Sequence, residues 1–240
     1  MSKFYEFKNI AENEYSLYVY GEIVDEKWYD SDVDVNDFKE ALAGVPNGST
    51  LNMYVNSVGG NVFATSAMTS ILQRAKDRGI TITAYVDGLA ASCASWLVMV
   101  ADNINIYKNS VMMIHKPMLM TYGNANDLEK DIEVLNKIED GVIIPMYEAK
   151  AKCDRKKLKN MMTEETWLTA DEIQEHFNVT LIDETREVKN ITSKLFNSYK
   201  HTPKEFKQEE KPVENKEEQP VAVDYSDYEN ILKELKGGKI

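Results

Sequence analysis

Cysteine is scarce in this sequence. The 240-residue chain has two, Cys93 and Cys153, too few for a disulfide framework and in keeping with a reducing compartment. Long apolar runs are missing as well. The opening MSKFYEFKNIAENE lacks the apolar stretch of a signal peptide. The longest small-and-apolar run, Leu89 to Ala101, falls short of the ~20 residues that a membrane-spanning helix needs. Positive charge is thin: 28 Lys+Arg stand against 40 Asp+Glu, a net charge of −12. That argues against nucleic acid or an anionic membrane as a partner. The expectation is a soluble, cytoplasmic protein. No internal repeat is visible, and nothing calls for a metal or cofactor.

Apolar residues make up 43% of the chain and aromatic residues 10%, which excludes a wholly disordered chain. Half of the six prolines, Pro203, Pro212 and Pro220, fall in HTPKEFKQEEKPVENKEEQP, a stretch with almost nothing to place in a core. The expected organisation is a folded domain over 1–195, a disordered Lys/Glu/Pro-rich linker over 196–222 and a short amphipathic helix over 223–240. Within the domain, strand patterns at 15–23, 50–56, 80–86, 103–107 and 111–115 alternate with helical ones. The helices are predicted at 34–44, 61–78, 90–100 and 125–152, with Phe63, Ala67, Ile71 and Ala75 forming the stripe of the second and Pro145 kinking or breaking the last. Alternation of this kind implies βαβ units with right-handed crossovers, hence an α/β fold.

Three histidines occur. His201 falls in the linker and His176 on an acidic helix, where a surface or half-buried histidine is the ordinary case. His115 ends the apolar strand VMMIH before Lys116-Pro117, and strand ends are where α/β folds bind ligands. Gly88-Leu89-Ala90-Ala91-Ser92 follows a strand and opens a helix, which fits either the strand–turn–helix arrangement of a nucleophile elbow or a close-packed helix of small residues. Asn56-Ser57-Val58-Gly59-Gly60-Asn61 makes a second such junction, whose exposed N–H groups suit an oxyanion. It lacks the Lys-Ser/Thr of a phosphate loop and the third glycine of a dinucleotide fingerprint. Together the three elements supply nucleophile, base and oxyanion donors for acyl transfer.

VYGEIVDE, YVNSVGGNVFAT, GLAASCAS, MMIHKP, GNANDLE and TEETWLTADEI followed by LID resemble the Clp protease proteolytic subunit. The variant with GLAAS, GNA and EETWxTA resembles the Clp-like head-maturation protease of phages and prophages. The resemblance implies the Clp/crotonase-like fold of βαβ units and a serine endopeptidase. It makes Ser92 the nucleophile, His115 the general base, and Gly60, Gly59 beside it, and the Cys93 amide the oxyanion hole. Cys93 and Ser95 compete with Ser92 as nucleophile, but an elbow presents a single residue. The acid falls on Glu165, where the family has aspartate, with Glu164 and Asp171 as alternatives; Asp171 is expected to cap the next helix.

Further implications are a homo-oligomer of heptameric or stacked rings, joined through a handle helix carrying Leu128, Ile132, Leu135 and Ile138. Substrates would be phage scaffold or capsid proteins, in the bacterial cytoplasm or prohead interior, and no cofactor is implied. Val58 replaces the family's proline, and the N-terminus is not the gating loop that meets an AAA+ unfoldase, which argues against an ATPase partner. A cellular Clp subunit, an acyl-CoA enzyme of crotonase type and a non-catalytic capsid-assembly protein are the alternatives.

Overall fold

Strand β3 (Thr50–Gly60) alternates poorly between polar and apolar because it is buried on both faces, as a central parallel strand must be. It is the middle of an eight-stranded sheet in a computed structural model that describes residues 7–11, 13–27, 32–187, 191 and 193–206. The main path runs β1 (Phe7–Ala11), β2 (Glu14–Ile23), β3, β4 (Thr81–Ala91), β5 (Asn103–Tyr107) and β8 (Thr180–Ile182). All neighbours on that path are parallel except β1 and β2. Register stacks Tyr18, Tyr54 and Tyr85 in one row across three strands, with ring centroids 4.9 and 5.0 Å apart. The expected α/β class is the one observed.

Helix α1 (Val35–Ala43) starts at Asp34, whose carboxylate accepts from the Asp37 amide, and ends at Gly44. Helix α2 (Val62–Asp77) is capped by Asn61 and buries Ala64, Met68, Leu72 and Ala75. The stripe expected from the sequence is therefore turned. Ala75 stays on the buried face, but Phe63 is 70% exposed, because the cap at Asn61 fixes where the first turn points.

Strand β4 divides the sheet. Its first half, Thr83 to Val86, pairs with β5, and its last three residues pair instead with β6 (Val111–Ile114). β6 in turn pairs antiparallel with β7 (Thr166–Thr169). This branching overrides the small-residue helix expected from Ala90: the chain stays extended through Ala91, and helix α3 (Cys93–Leu97) begins after Ser92. A 3₁₀ turn, Val98–Val100, follows it.

Helix α4 (Ala125–Ile138) has a capping box at Asn124 and Asp127 and no buried residue. It continues through a π-helical segment, Glu139–Ile143, into α5 (Ile144–Glu148). The wider turn accommodates Pro145, which has no amide to donate, so the expected kink is a π-bulge. α6 (Arg155–Thr163) and α7 (Ala170–His176) flank β7. Packing does not stop at residue 195. Ser193–Phe206 folds back as a strap, with Phe196 buried in a second core cluster beside Val58, Leu89, Ala91 and Met113. The expected 223–240 helix and most of the expected linker lie outside the described residues.

Candidate active site

Sheet register assembles the site. Ala91 of β4 lies opposite Met113 of parallel β6, so Ser92 and His115 both emerge just past the ends of neighbouring strands. Ile114 lies opposite Thr166 of β7, which brings Glu165 to the same rim. Ser57 of β3 lies beside Ala90, which sets Gly59 and Gly60 against the start of α3. Four segments far apart in sequence thus converge through strand pairing alone.

Ser92 occupies φ 53°, ψ −126°, a left-handed geometry that costs a non-glycine residue ~1–3 kcal/mol and persists only when its surroundings hold it. Three hydrogen bonds do so. Its amide donates to the Met113 carbonyl at 2.9 Å. Its carbonyl accepts from the Ser95 amide at 3.0 Å and the Ser95 hydroxyl at 2.5 Å. Since the Ser95 proton is spent on that carbonyl, the Tyr147 hydroxyl, 2.6 Å away, must donate to Ser95. Tyr147 thus braces the turn from the core.

The turn aims Ser92 Oγ at His115 Nε2, 2.7 Å away. His115 is pushed down to about 4 by burial, opposed by the Glu165 carboxylate. At neutral pH the imidazole is therefore uncharged and able to accept the serine proton. Cys93 Sγ is no competitor: the thiol is buried and pushed up to about 12 by that burial, so it carries almost no thiolate. Ser95 is fully buried and committed to Ser92 and Tyr147.

The Gly59–Gly60 turn lies against Ser92. A Cβ on Gly59 would sit 2.6 Å from the Ala91 carbonyl oxygen and 2.7 Å from Ser92 Cβ, and φ is positive at both glycines. Only glycine lets the two junctions approach this closely. The Gly59 amide already donates to Ser57 Oγ at 3.1 Å, which corrects its expected place as an oxyanion donor: its contribution is shape. Of the expected set that leaves Gly60 and the Cys93 amide, the latter the first of a helix whose start has no side-chain cap.

Glu165 is buried, with φ 49°. Burial pushes its carboxyl up, but the His201 and Lys200 amides, the Trp167 indole and the His115 charge outweigh it and hold the group below the usual carboxylate range. The amides donate from 2.6 and 2.8 Å. Among the described residues no hydrogen bond joins Glu165 to His115, so its influence there is electrostatic rather than the direct contact a triad acid implies. Glu164 caps the end of α6, and its carbonyl meets His201 Nδ1 at 3.0 Å. Asp171 sits in the first turn of α7, whose cap is Thr169 paired with Glu172, a correction to its expected capping role.

Sequence reasoning set His201 aside and passed over Leu195 and Tyr199. The apolar spacing of Ile191, Leu195, Phe196 and Tyr199 was the available signal, and nearby Pro203 masked it. Leu195 and Tyr199 help to wall a cleft of about 160 Å³ that also holds Ser92, His115, Gly60 and Trp96. A second groove, about 260 Å³, continues past Gly60 and Phe63 toward Met118, Leu119 and Ile138. Among the described residues no group of His, Cys, Asp and Glu is placed to hold a metal ion, and no helix is long and apolar enough to cross a membrane.

Comparison with known proteins converges on one family. The model described as Clp protease matches residues 40–203. The chain is 28% identical over 137 residues to an ATP-dependent Clp protease proteolytic subunit of Bacteroides thetaiotaomicron, covering 56% of this chain and 60% of that protein. A subunit of the same description from Bacteroides fragilis is 31% identical over 100 residues, 41% of this chain and 47% of the relative. The chain therefore spans about half to three fifths of the curated relatives it matches.

Proposed function

The chain belongs to the Clp protease family, and from that premise we propose that it is a serine endopeptidase with Ser92 as nucleophile. The observation that carries the proposal is the 2.7 Å contact between Ser92 Oγ and His115 Nε2 on a strained turn. Ser92 Oγ bonds to the scissile carbonyl carbon as its proton passes to His115 Nε2. The imidazolium then gives that proton to the leaving amine as the C–N bond breaks. Water, deprotonated by the same imidazole, releases the acyl group. The Gly60 and Cys93 amides hold the oxyanion, each contributing about 3 kcal/mol of transition-state stabilisation in comparable enzymes. Glu165 favours the imidazolium by charge.

The apolar cleft and groove beside Ser92 suit an extended peptide with apolar side chains. The exposed face of α4, with Leu128 41% and Ile132 58% exposed, supports assembly of several copies into rings through this helix. For the physiological substrate, the residue pattern supports scaffold or capsid proteins of a phage, with general proteolysis beside a ring ATPase fitting the same chemistry. Cleavage of a coexpressed scaffold protein without any ATPase separates the two.

A fluorophosphonate probe tests the central assignment. One serine should be labelled, and Ser92→Ala should abolish labelling. Labelling that persists in Ser92→Ala refutes the nucleophile.

A further inference from the structure

A triad acid keeps its histidine in place by hydrogen bonding to it. Glu165 does not: its carboxylate is taken up by two amides of the strap and by the Trp167 indole. Something else must therefore orient His115. The tripeptide Tyr199-Lys200-His201 touches His115, Glu165 and the residue that precedes the Gly59–Gly60 turn. The Tyr199 ring meets the His115 ring edge to face, at 5.2 Å and 79°. Its hydroxyl donates to the Val58 carbonyl at 2.7 Å, directly before the Gly59–Gly60 turn. The next two amides fix Glu165.

We propose that Tyr199 is a positioning residue of the active site, its ring orienting and shielding His115 while its hydroxyl fixes the oxyanion turn through Val58. The inference rests on the peptidase reading and adds the strap to the catalytic arrangement. The segment is built to hold this position. Phe196 anchors it in the core, Thr202 Oγ1 closes its turn onto the Phe196 carbonyl at 2.7 Å, and Ser193 Oγ donates to Glu22 at 2.9 Å. Phe206 stacks on both Trp167 and Phe196. The cleft beside Ser92 stays open with the strap in place, Leu195 and Tyr199 forming its wall. A segment that merely blocked the site would fill that cleft.

The two functions of Tyr199 separate in variants of the full chain. Tyr199→Phe keeps the ring contact and loses the tie to Val58. Its kcat for peptide hydrolysis should fall about tenfold with KM changed less than about twofold, the pattern of a lost transition-state interaction. The acid limb of its pH profile should stay where the wild type has it. Tyr199→Ala also loses the ring and lets water reach His115. Its kcat should fall about a hundredfold, and its acid limb should move up from about 4 toward the unperturbed 6.5. Among the described residues Glu165 is the one charged group acting on His115, and it is unchanged in both variants, so such a shift reports hydration.

Should Tyr199→Ala fail to fold, Tyr199→Phe decides alone. Wild-type kcat in Tyr199→Phe overturns the proposal, as does higher activity in either variant, which would make the strap an obstruction. A wild-type protein whose Ser92 ignores a fluorophosphonate probe overturns the peptidase reading and this inference together. A reactive wild type with an unaffected Tyr199→Phe overturns this inference alone.

Discussion

Burial of His115 should be visible in both catalysis and stability. Taking the imidazole from 6.5 to about 4 corresponds to about 3 kcal/mol at 1.36 kcal/mol per pH unit. The unfolded chain binds this proton below pH 6.5, whereas the folded protein binds it only below about 4. Between those values the unfolded state holds more protons, so stability is lost as pH falls and is level on either side. At pH 5 the loss from this group alone should be ~2 kcal/mol relative to pH 7.5. Urea denaturation at the two pH values, at one protein concentration, measures it. His115→Gln has no proton to bind and should lose ~2 kcal/mol less than the wild type over the same interval. Catalysis reads the same group, because the acid limb of kcat/KM reports the base of the free enzyme. That limb should fall near pH 4 rather than 6.5. Glu165→Gln should move it lower still, since the carboxylate opposes the effect of burial. An acid limb at or above 6.5, together with equal pH dependence of wild type and His115→Gln, would refute the claim that burial governs this histidine.

The brace behind the nucleophile predicts non-additive losses. Ser95→Ala strands the buried Tyr147 hydroxyl and should cost ~1–3 kcal/mol in urea denaturation, while Tyr147→Phe should cost ~1 kcal/mol. The double variant should cost less than the two summed; strict additivity would show that no chain links them. Both single variants should slow fluorophosphonate labelling of Ser92. On the handle, Leu128→Asp with Ile132→Asp should reduce the native mass to a single chain while changing monomer stability by less than ~0.5 kcal/mol, as exposed sites do. An unchanged native mass would place the contact between copies elsewhere.

Much of the fold was legible where side chains and backbone agree. Asp34, Gly44, Asn61 and Gly79 mark helix ends by local chemistry, and the α/β alternation follows from them. Ser92 and His115 were legible because each sits at an element junction beside small or ring-constrained residues. What could not be read was set by pairing at a distance. Leu89-Ala90-Ala91 has helical composition, yet β6 captures it as strand. Thr166–Thr169 is too short to announce itself, and it exists as a strand because β6 needs a partner. Phe63 appears apolar enough for a core, but the cap at Asn61 turns it outward.

The strap shows the same limit at the level of the site. Glu165 was found only through the family resemblance, which implies a carboxylate directed at an imidazole. Its actual partners are amides about 35 residues later, which no local pattern could assign. Those amides hold the carboxylate where its charge still acts on His115, and among the described residues no hydrogen bond joins the two. The geometric part of the acid's work is then left to whatever packs against the ring, and Tyr199 is the aromatic residue that does. Glu165 and the folded strap after β8 thus form one connected arrangement. The Glu165 side chain accepts from the strap amides, and the strap returns an aromatic ring to the histidine.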